Sequence, residues 1–375
     1  MKNPKQKLRV GVTLGAKHKG QAPWEWDLWQ NSIYLVQLLN QSPQVERAVL
    51  IDSGKYTDPM GINLENEVGV EVISPDEAKR TQDVVIELGF GLPDQWITDF
   101  RSGGGKYVGM KVSNESFLDI EDALFGQRHE PTFESSEYDA LWILPGLEAS
   151  CSDYLGITSR APVQVVPSIW SPYFLKRQIA ELPANAHYGY VAGRQSWRIC
   201  SFDPSTTISH SLLVPLLICE EANRLQPRLL ERVHMANSFR FLDQTYFNNF
   251  KSRLHIVLCD MVNFDGRRSM HDCISSQGDC NILHQSEGGQ SYRLYESLYG
   301  RYPLIHNFPL LRDYGYYYEG FDCQRGAHVL LDAIARHDRN LVSYEANCTE
   351  LLERVDISHP ENIKAYAQEL MRLFA

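Results

Sequence analysis

Apolar runs of four to seven residues recur along the chain, separated by stretches whose apolar positions repeat at helical spacing. In the first half these runs are Leu8–Leu14, Arg47–Ile51, Val70–Ile73, Asp83–Leu88, Lys106–Val112, Ala140–Leu144 and Pro162–Val166. They are short, rich in β-branched residues and separated by helices or turns, which predicts strands of a parallel sheet covered on both faces. Ser32–Asn40 is amphipathic and reads as a helix. The pattern restarts in the second half with Trp197–Phe202, Val233–Asn237, Leu254–Leu258, Asn281–His284 and Leu304–His306 as strands, each alternating with a helix. One of these helices runs to about Asn223. It is expected to begin near Val214 or to be kinked, because Pro215 would cost about 3 kcal/mol in a helix interior but is tolerated in a first turn. Asn340–Ala375 reads as two further helices.

Two α/β halves imply two tandem domains, and 375 residues allow each its own core. Glu181–Gly189, with its Pro, Ala, Asn and Gly content, is the expected linker. The domains are therefore drawn at 1–182 and 183–355, with a terminal helix at 356–375. Ligands of open α/β sheets bind beyond the carboxyl ends of the strands. The loops after Leu14, Leu88, Val112, Phe202 and His284 are thus expected to face a common cleft.

Composition narrows the classes. The apolar, aromatic and charged fractions are those of a soluble globular protein, and no apolar run is long enough to span a membrane. Met1–Lys7 is basic but leads directly into a strand, so no signal peptide and a cytoplasmic location are expected. A net charge of −11 opposes non-specific nucleic-acid binding by the whole surface, though not by a local basic groove. The eight cysteines form no C-x-x-C pair, which points away from zinc. Cys200, Cys219 and Cys259 sit in apolar segments and are expected to be reduced, buried thiols.

The densest chemistry lies between Cys280 and Asn307. A strand to His284, a loop of small and polar residues from Glu287 to Ser291, a helix from Tyr292 to Tyr299 and a strand beginning at Pro303 follow one another. Backbone N–H groups at a helix start favour anions. A carboxylate further along such a helix can accept hydrogen bonds from ribose hydroxyls. That combination suits a nucleotide-diphosphate sugar, with Glu287, Gly288, Gly289, Gln290, Ser291 and Glu296 on the donor side. Ser205, in the hydroxyl-rich run Ser205–His210, and Arg268, in the pair Arg267–Arg268, are candidates for the diphosphate. The plainer reading of these residues is a helix N-cap, a turn glycine pair and solvated charges.

The first domain offers less. Gly15–Gly20 lacks both the dinucleotide and the P-loop fingerprints, and the glycines before Lys106 precede a strand instead of following one. Trp26, Trp29 and Asn31 are candidates for the acceptor side; the tryptophans would stack on a sugar or base, or equally anchor the core. Glu87 ends an apolar run, where a carboxylate is costly to bury unless paired. It therefore has a partner or sits at the cleft edge, where it would serve as general base for an acceptor hydroxyl. Glu115 and His18 are the other candidate bases, and the residues do not choose among the three. His271, Cys273 and His284 lie near no Asp-x-Asp cluster. No catalytic metal is expected; helix dipoles and basic side chains would meet the diphosphate charge.

The segment from Glu287 to Pro303 resembles the donor-binding motif of GT-B glycosyltransferases, in which a glutamate, a Gly loop, a second glutamate and a Gly-x-Pro-like turn follow in this order. Between Glu287 and Glu296 stand eight residues, one more than is usual in that family, while the distance from Glu296 to Pro303 matches; Glu296 carries over more firmly. Over nearly the whole chain, Glu25–Asn31, Ile86–Gly89, Val165–Pro172 and Arg312–Tyr318 are similar to a bacterial and phage family related to these enzymes and without a settled activity. The resemblance implies an α/β, GT-B architecture: two tandem Rossmann-like domains facing across a cleft, with the C-terminal helix returning to the first. It implies an acceptor domain followed by a nucleotide-sugar domain. The expected activity is metal-independent transfer of a sugar from a nucleotide-diphosphate sugar, UDP-linked, with no cofactor beyond that co-substrate. The acceptor hydroxyl would belong to a surface glycan, a protein, a small molecule or a hydroxymethylated DNA base. A nucleotide-sugar epimerase on the same architecture would need no acceptor. A non-catalytic nucleotide-sugar-binding protein would tolerate loss of every first-domain acid. The donor sugar, the stereochemical outcome and the oligomeric state stay open.

Overall fold

The computed structural model describes residues 7–15, 27–53, 64–125, 137–184, 186–202, 211–266, 268–286, 289 and 291–375. Two compact units emerge: Met1–Ser171 together with Arg354–Ala375, and Pro172–Glu353.

The first unit runs β1 (Leu8–Leu14), α1 (Asp27–Leu39), β2 (Val45–Asp52), β3 (Val72–Ile73), α2 (Pro75–Thr81), β4 (Val84–Glu87), α3 (Asp94–Ser102), β5 (Lys106–Lys111), α4 (Glu115–Phe125), β6 (Ala140–Ile143), α5 (Glu148–Ser159) and β7 (Val163–Val165). The seven strands are all parallel, in the order β3-β2-β1-β4-β5-β6-β7. The interior strand β1 pairs with β2 on one side and β4 on the other, and Val10 and Val12 are fully buried. Helices cover both faces of such an interior parallel strand. Each fully buried Val or Leu of this kind contributes about 1.5–3 kcal/mol relative to exposure.

The second unit opens with α6 (Tyr173–Ala180). It continues through β8 (Trp197–Ser201), α7 (Leu213–Leu225), β9 (Leu230–Met235), α8 (Thr245–Lys251), α9 (His255–Leu258), β10 (Val262–Phe264), α10 (Met270–Gln277), β11 (Cys280–Leu283), α11 (Tyr292–Tyr299), β12 (Leu304–His306), β13 (Tyr316–Tyr317) and the long α12 (Cys323–Val355). Its six strands are again parallel, in the order β10-β9-β8-β11-β12-β13. Pro215 falls in the first turn of α7, as its missing N–H requires.

The last helix, α13 (Pro360–Arg372), belongs to the first unit. Tyr366 on α13 is fully buried, donates a hydrogen bond to the Pro167 carbonyl at 2.8 Å and meets Trp142 edge-on at 5.9 Å. The return of the C-terminal helix to the first domain, implied by the resemblance, is thus present.

Three expectations are corrected. Leu254–Leu258 is not a strand: His255–Leu258 forms helix α9, and the sheet edge is taken by Val262–Phe264 instead. The Glu220 carboxylate of α7 accepts the Ile256 N–H at 3.0 Å, which fixes the turn. Cys259, expected to be a buried thiol, caps the helix and is exposed. The boundary drawn at 182/183 falls at 171/172, because α6 packs on α10 and the expected linker is tied into the second unit. Tyr188 donates to the Glu296 carbonyl at 2.8 Å, Tyr190 N–H to the Gly300 carbonyl at 2.8 Å, and Gly189 N–H to Tyr302 Oη at 2.9 Å. Among the described residues no helix is long and apolar enough to cross a membrane.

Candidate functional site

The carboxyl edge of the second sheet is built around β11, whose four residues are all buried. Two clamps set the direction in which the chain leaves this strand. Asn307, just past β12, accepts the Gln285 N–H at 2.9 Å and donates to the Gln285 carbonyl at 2.8 Å. The same amide donates to the Gly320 carbonyl at 3.2 Å. His284, fully buried, pairs through Nδ1 with Tyr318 Oη at 2.9 Å, and its ring meets Phe321 at 4.6 Å.

Helix α11 then starts at Ser291, a buried N-cap that makes no side-chain capping bond among the described residues. The first-turn N–H groups of a helix have no intrahelical partner, so this end is electropositive. The helix is locked to β11 by Asn281, whose amide donates to Ser297 Oγ at 2.8 Å; Ser297 in turn donates to the Arg293 carbonyl at 2.7 Å. It ends at Gly300, where a Cβ would lie 2.6 Å from the Tyr302 ring and 2.9 Å from Tyr188. Any side chain there would force those rings to shift. Glu296 lies on the fifth position of this helix and is half-buried.

Burial governs the histidines of this unit. His284, His306 and His337 are each pushed down to about 4, because desolvation penalises the imidazolium. His306 is held as a fixed tautomer: Nε2 donates to the Tyr314 carbonyl at 2.8 Å while Nδ1 accepts the Phe308 N–H at 3.2 Å. These three rings are neutral at pH 7. Positive potential at this edge therefore comes from the α11 start and from arginine. Arg268, half-buried just before α10, donates to Gln277 Oε1 at 3.1 Å.

Of the residues singled out on the donor side, Gly289, Ser291 and Glu296 stand on one strand–loop–helix segment at the carboxyl edge of the sheet, and Arg268 precedes α10. Ser205, Glu287, Gly288 and Gln290, with His18 and Trp26 of the first unit, lie outside the described residues. Trp29 and Asn31 are buried within α1. Glu115 opens α4, after β5 and at the carboxyl edge of the first sheet, and is half-buried.

Glu87 has the partners that its burial demands. It is 2% exposed, and accepts hydrogen bonds from Tyr107 Oη at 2.9 Å and Tyr138 Oη at 2.7 Å. Lys111 Nζ lies 3.4 Å from the same carboxylate. Burial, and then the Glu87 charge, push the Tyr107 phenol well above its ordinary range. The two phenol rings stack at 5.8 Å. Sequence reasoning found the acid but not these partners, since tyrosines in and beside strands read simply as β-formers. It likewise missed Asn307, for which no pattern speaks; Tyr318 lies in the aromatic block Arg312–Tyr318.

Among the described residues no three His, Cys, Asp or Glu side chains converge as metal ligands. The family model described as "Protein of unknown function (DUF2827)" matches residues 10–370. No curated protein matches by sequence. Solved structures do match. The pneumococcal O-GlcNAc transferase GtfA, in complex with UDP and GlcNAc, superposes with a TM-score of 0.52 at 8% identity, over 98% of this chain and 99% of that one. Anabaena Alr3699/HepE in complex with UDP gives 0.56 at 11% identity, over 97% and 100%. A glycosyltransferase from Rickettsia africae ESF-5 gives 0.52 at 11% identity, over 98% and 99%. At these identities the likeness shows the fold, which is that of the GT-B glycosyltransferases.

Proposed function

We propose that this chain, which belongs to the family described as "Protein of unknown function (DUF2827)", is a glycosyltransferase that uses a UDP-linked sugar. The observation that supports the reading is the strand–loop–helix segment from β11 to α11, in a chain whose GT-B fold extends over nearly its whole length. Its helix start carries no side-chain cap among the described residues and suits a diphosphate. Glu296, one turn further on, would accept hydrogen bonds from the ribose hydroxyls. Glu287, Gly288, Gly289, Gln290 and Ser291 would complete the donor side, with Ser205 and Arg268 toward the diphosphate. The pneumococcal and Anabaena structures hold UDP, which makes that nucleotide the first to test.

In the proposed reaction an acceptor hydroxyl oxygen forms a bond to the anomeric carbon. The bond from that carbon to the diphosphate oxygen breaks with its electron pair, and UDP leaves. A base takes the hydroxyl proton. Glu115 suits this role better than Glu87, whose oxygens already receive two phenols and face an ammonium. The developing charge on the diphosphate would be met by backbone N–H groups and arginine, without a metal.

The test is thermal shift with UDP in the absence of divalent ions, followed by calorimetry on Glu296→Ala. Binding to the native state raises the melting temperature by mass action. The substitution removes a charge-assisted hydrogen bond worth about 1.5–3 kcal/mol, so affinity should fall about 10- to 100-fold with the fold intact. A chain stabilised by no nucleoside diphosphate, or a Glu296→Ala variant with unchanged affinity, would overturn the donor assignment.

A further inference from the structure

Helix α9 presents a histidine and a cysteine one turn apart, His255 at its start and Cys259 at its cap, both exposed. Side chains at i and i+4 share one face of a helix. The turn that joins these two is held from its inner side. Ile256 is fully buried, its N–H goes to the Glu220 carboxylate at 3.0 Å, and its carbonyl accepts the Met261 N–H at 2.9 Å. The Cys259 N–H donates to the His255 carbonyl at 2.9 Å, and the Arg232 guanidinium donates to the Asp260 carbonyl just beyond. Both side chains therefore project from a fixed backbone. Their own rotamers are the main freedom that binding must remove.

The sulfur and the ring already meet. Cys259 Sγ lies 3.4 Å from His255 Nε2 and 3.7 Å from Nδ1. A tetrahedral zinc ion, bonded to sulfur at about 2.3 Å and to nitrogen at about 2.0–2.1 Å, places two such donors about 3.5 Å apart. The pair can thus chelate without a large movement, and thiolate with imidazole is a donor set that zinc takes. Two protein donors leave two positions of the tetrahedron to water. That makes an exchangeable site, unlike a structural one with four protein ligands.

Its place in the fold separates it from the donor segment. Helix α9 leads into the start of β10, so the pair lies at the amino edge of the second sheet. Ligands of such sheets bind at the opposite, carboxyl edge. The inference is therefore independent of the transferase reading.

We infer that His255 and Cys259 together bind one zinc-class divalent ion, through an imidazole nitrogen and the thiolate. On binding, the thiol proton passes to solvent, the sulfur and nitrogen lone pairs form the two bonds, and two waters leave the ion.

The reduced full chain tests this, with cobalt(II) as the probe, because a cobalt–thiolate bond gives a charge-transfer absorption that zinc does not. The parent chain should show the band, and added zinc should abolish it. Cys259→Ser should lose the band. His255→Ala, which removes a ligand outright, should need more than about tenfold as much cobalt, since loss of a ligand's outer partner alone costs that much. Both positions are exposed, so both variants should keep the circular dichroism of the parent. Cys323→Ser, at the other thiol that is not buried, should keep the band. The inference is overturned if the parent gives no band, if the band survives Cys259→Ser, or if His255→Ala binds cobalt as the parent does.

Discussion

Acid should destabilise the chain through its buried histidines, and His306 shows the mechanism most clearly. Its ring is 1% exposed, with Nε2–H committed to the Tyr314 carbonyl and Nδ1 to the Phe308 N–H. A second proton would have to enter at Nδ1, against an N–H that already points there. The folded-state value is accordingly lowered from 6.5 to about 4, with desolvation the largest cause. Between those values the unfolded chain holds a proton that the native chain does not. Stability is therefore full above about pH 6.5 and is lost as the pH falls toward 4, at about 1.4 kcal/mol per pH unit for one such histidine. Over the window this amounts to about 3 kcal/mol. His284 and His337, lowered in the same direction to about 4, act alike. Three such groups together reach roughly 10 kcal/mol, on the scale of a whole domain's stability of about 5–15 kcal/mol. Urea unfolding at pH 7.5, 6.0, 5.0 and 4.5, followed by circular dichroism, reads the slope. Carboxylates add their own pH dependence, so the comparison with His306→Asn is decisive. That variant should be less stable at pH 7.5 but should lose stability more slowly in acid, by about one proton's worth of slope. An NMR titration placing the His306 imidazole near 6.5 in the native chain, or identical slopes for the two proteins, would refute the reasoning.

Two further outcomes are expected. Glu87→Gln should destabilise the first unit by about 1.5–3 kcal/mol, because the amide keeps one oxygen for the two phenols that the carboxylate accepts; urea unfolding by tryptophan fluorescence checks this, and an unchanged midpoint would show that the network contributes nothing. Under the transferase reading Glu115→Gln should slow sugar transfer about 10²- to 10⁴-fold while UDP affinity, by calorimetry, stays as in the parent chain; near-parental turnover would remove Glu115 as the base.

What the sequence determined by itself is local. The run Leu8–Leu14 is β1 and Leu304–His306 is β12, residue for residue, and Tyr292–Tyr299 is α11. These segments carry a clear period and end at turn residues, so neighbours along the chain suffice to specify them. The same holds for the start of α7, which Pro215 dictates. The parallel, doubly covered character of the sheets followed from short β-branched runs that alternate with helices.

Tertiary structure decided the rest. Leu254–Leu258 is too short for its apolar pattern to separate strand from helix; a carboxylate from α7 and competition from Val262–Phe264 settle it as α9. The expected linker looked like a loop in composition, yet Tyr188 and Tyr190 bind it to α11 and its end, more than a hundred residues away. The sequence could say only that Glu87 must be paired or at an edge. Choosing between these required Tyr107, Lys111 and Tyr138, which the sheet and its flanking loop bring around one carboxylate. Periodicity reports which face of an element is buried. The partner that a buried charge or an acceptor meets there depends on how elements distant in sequence pack, and no local pattern encodes that.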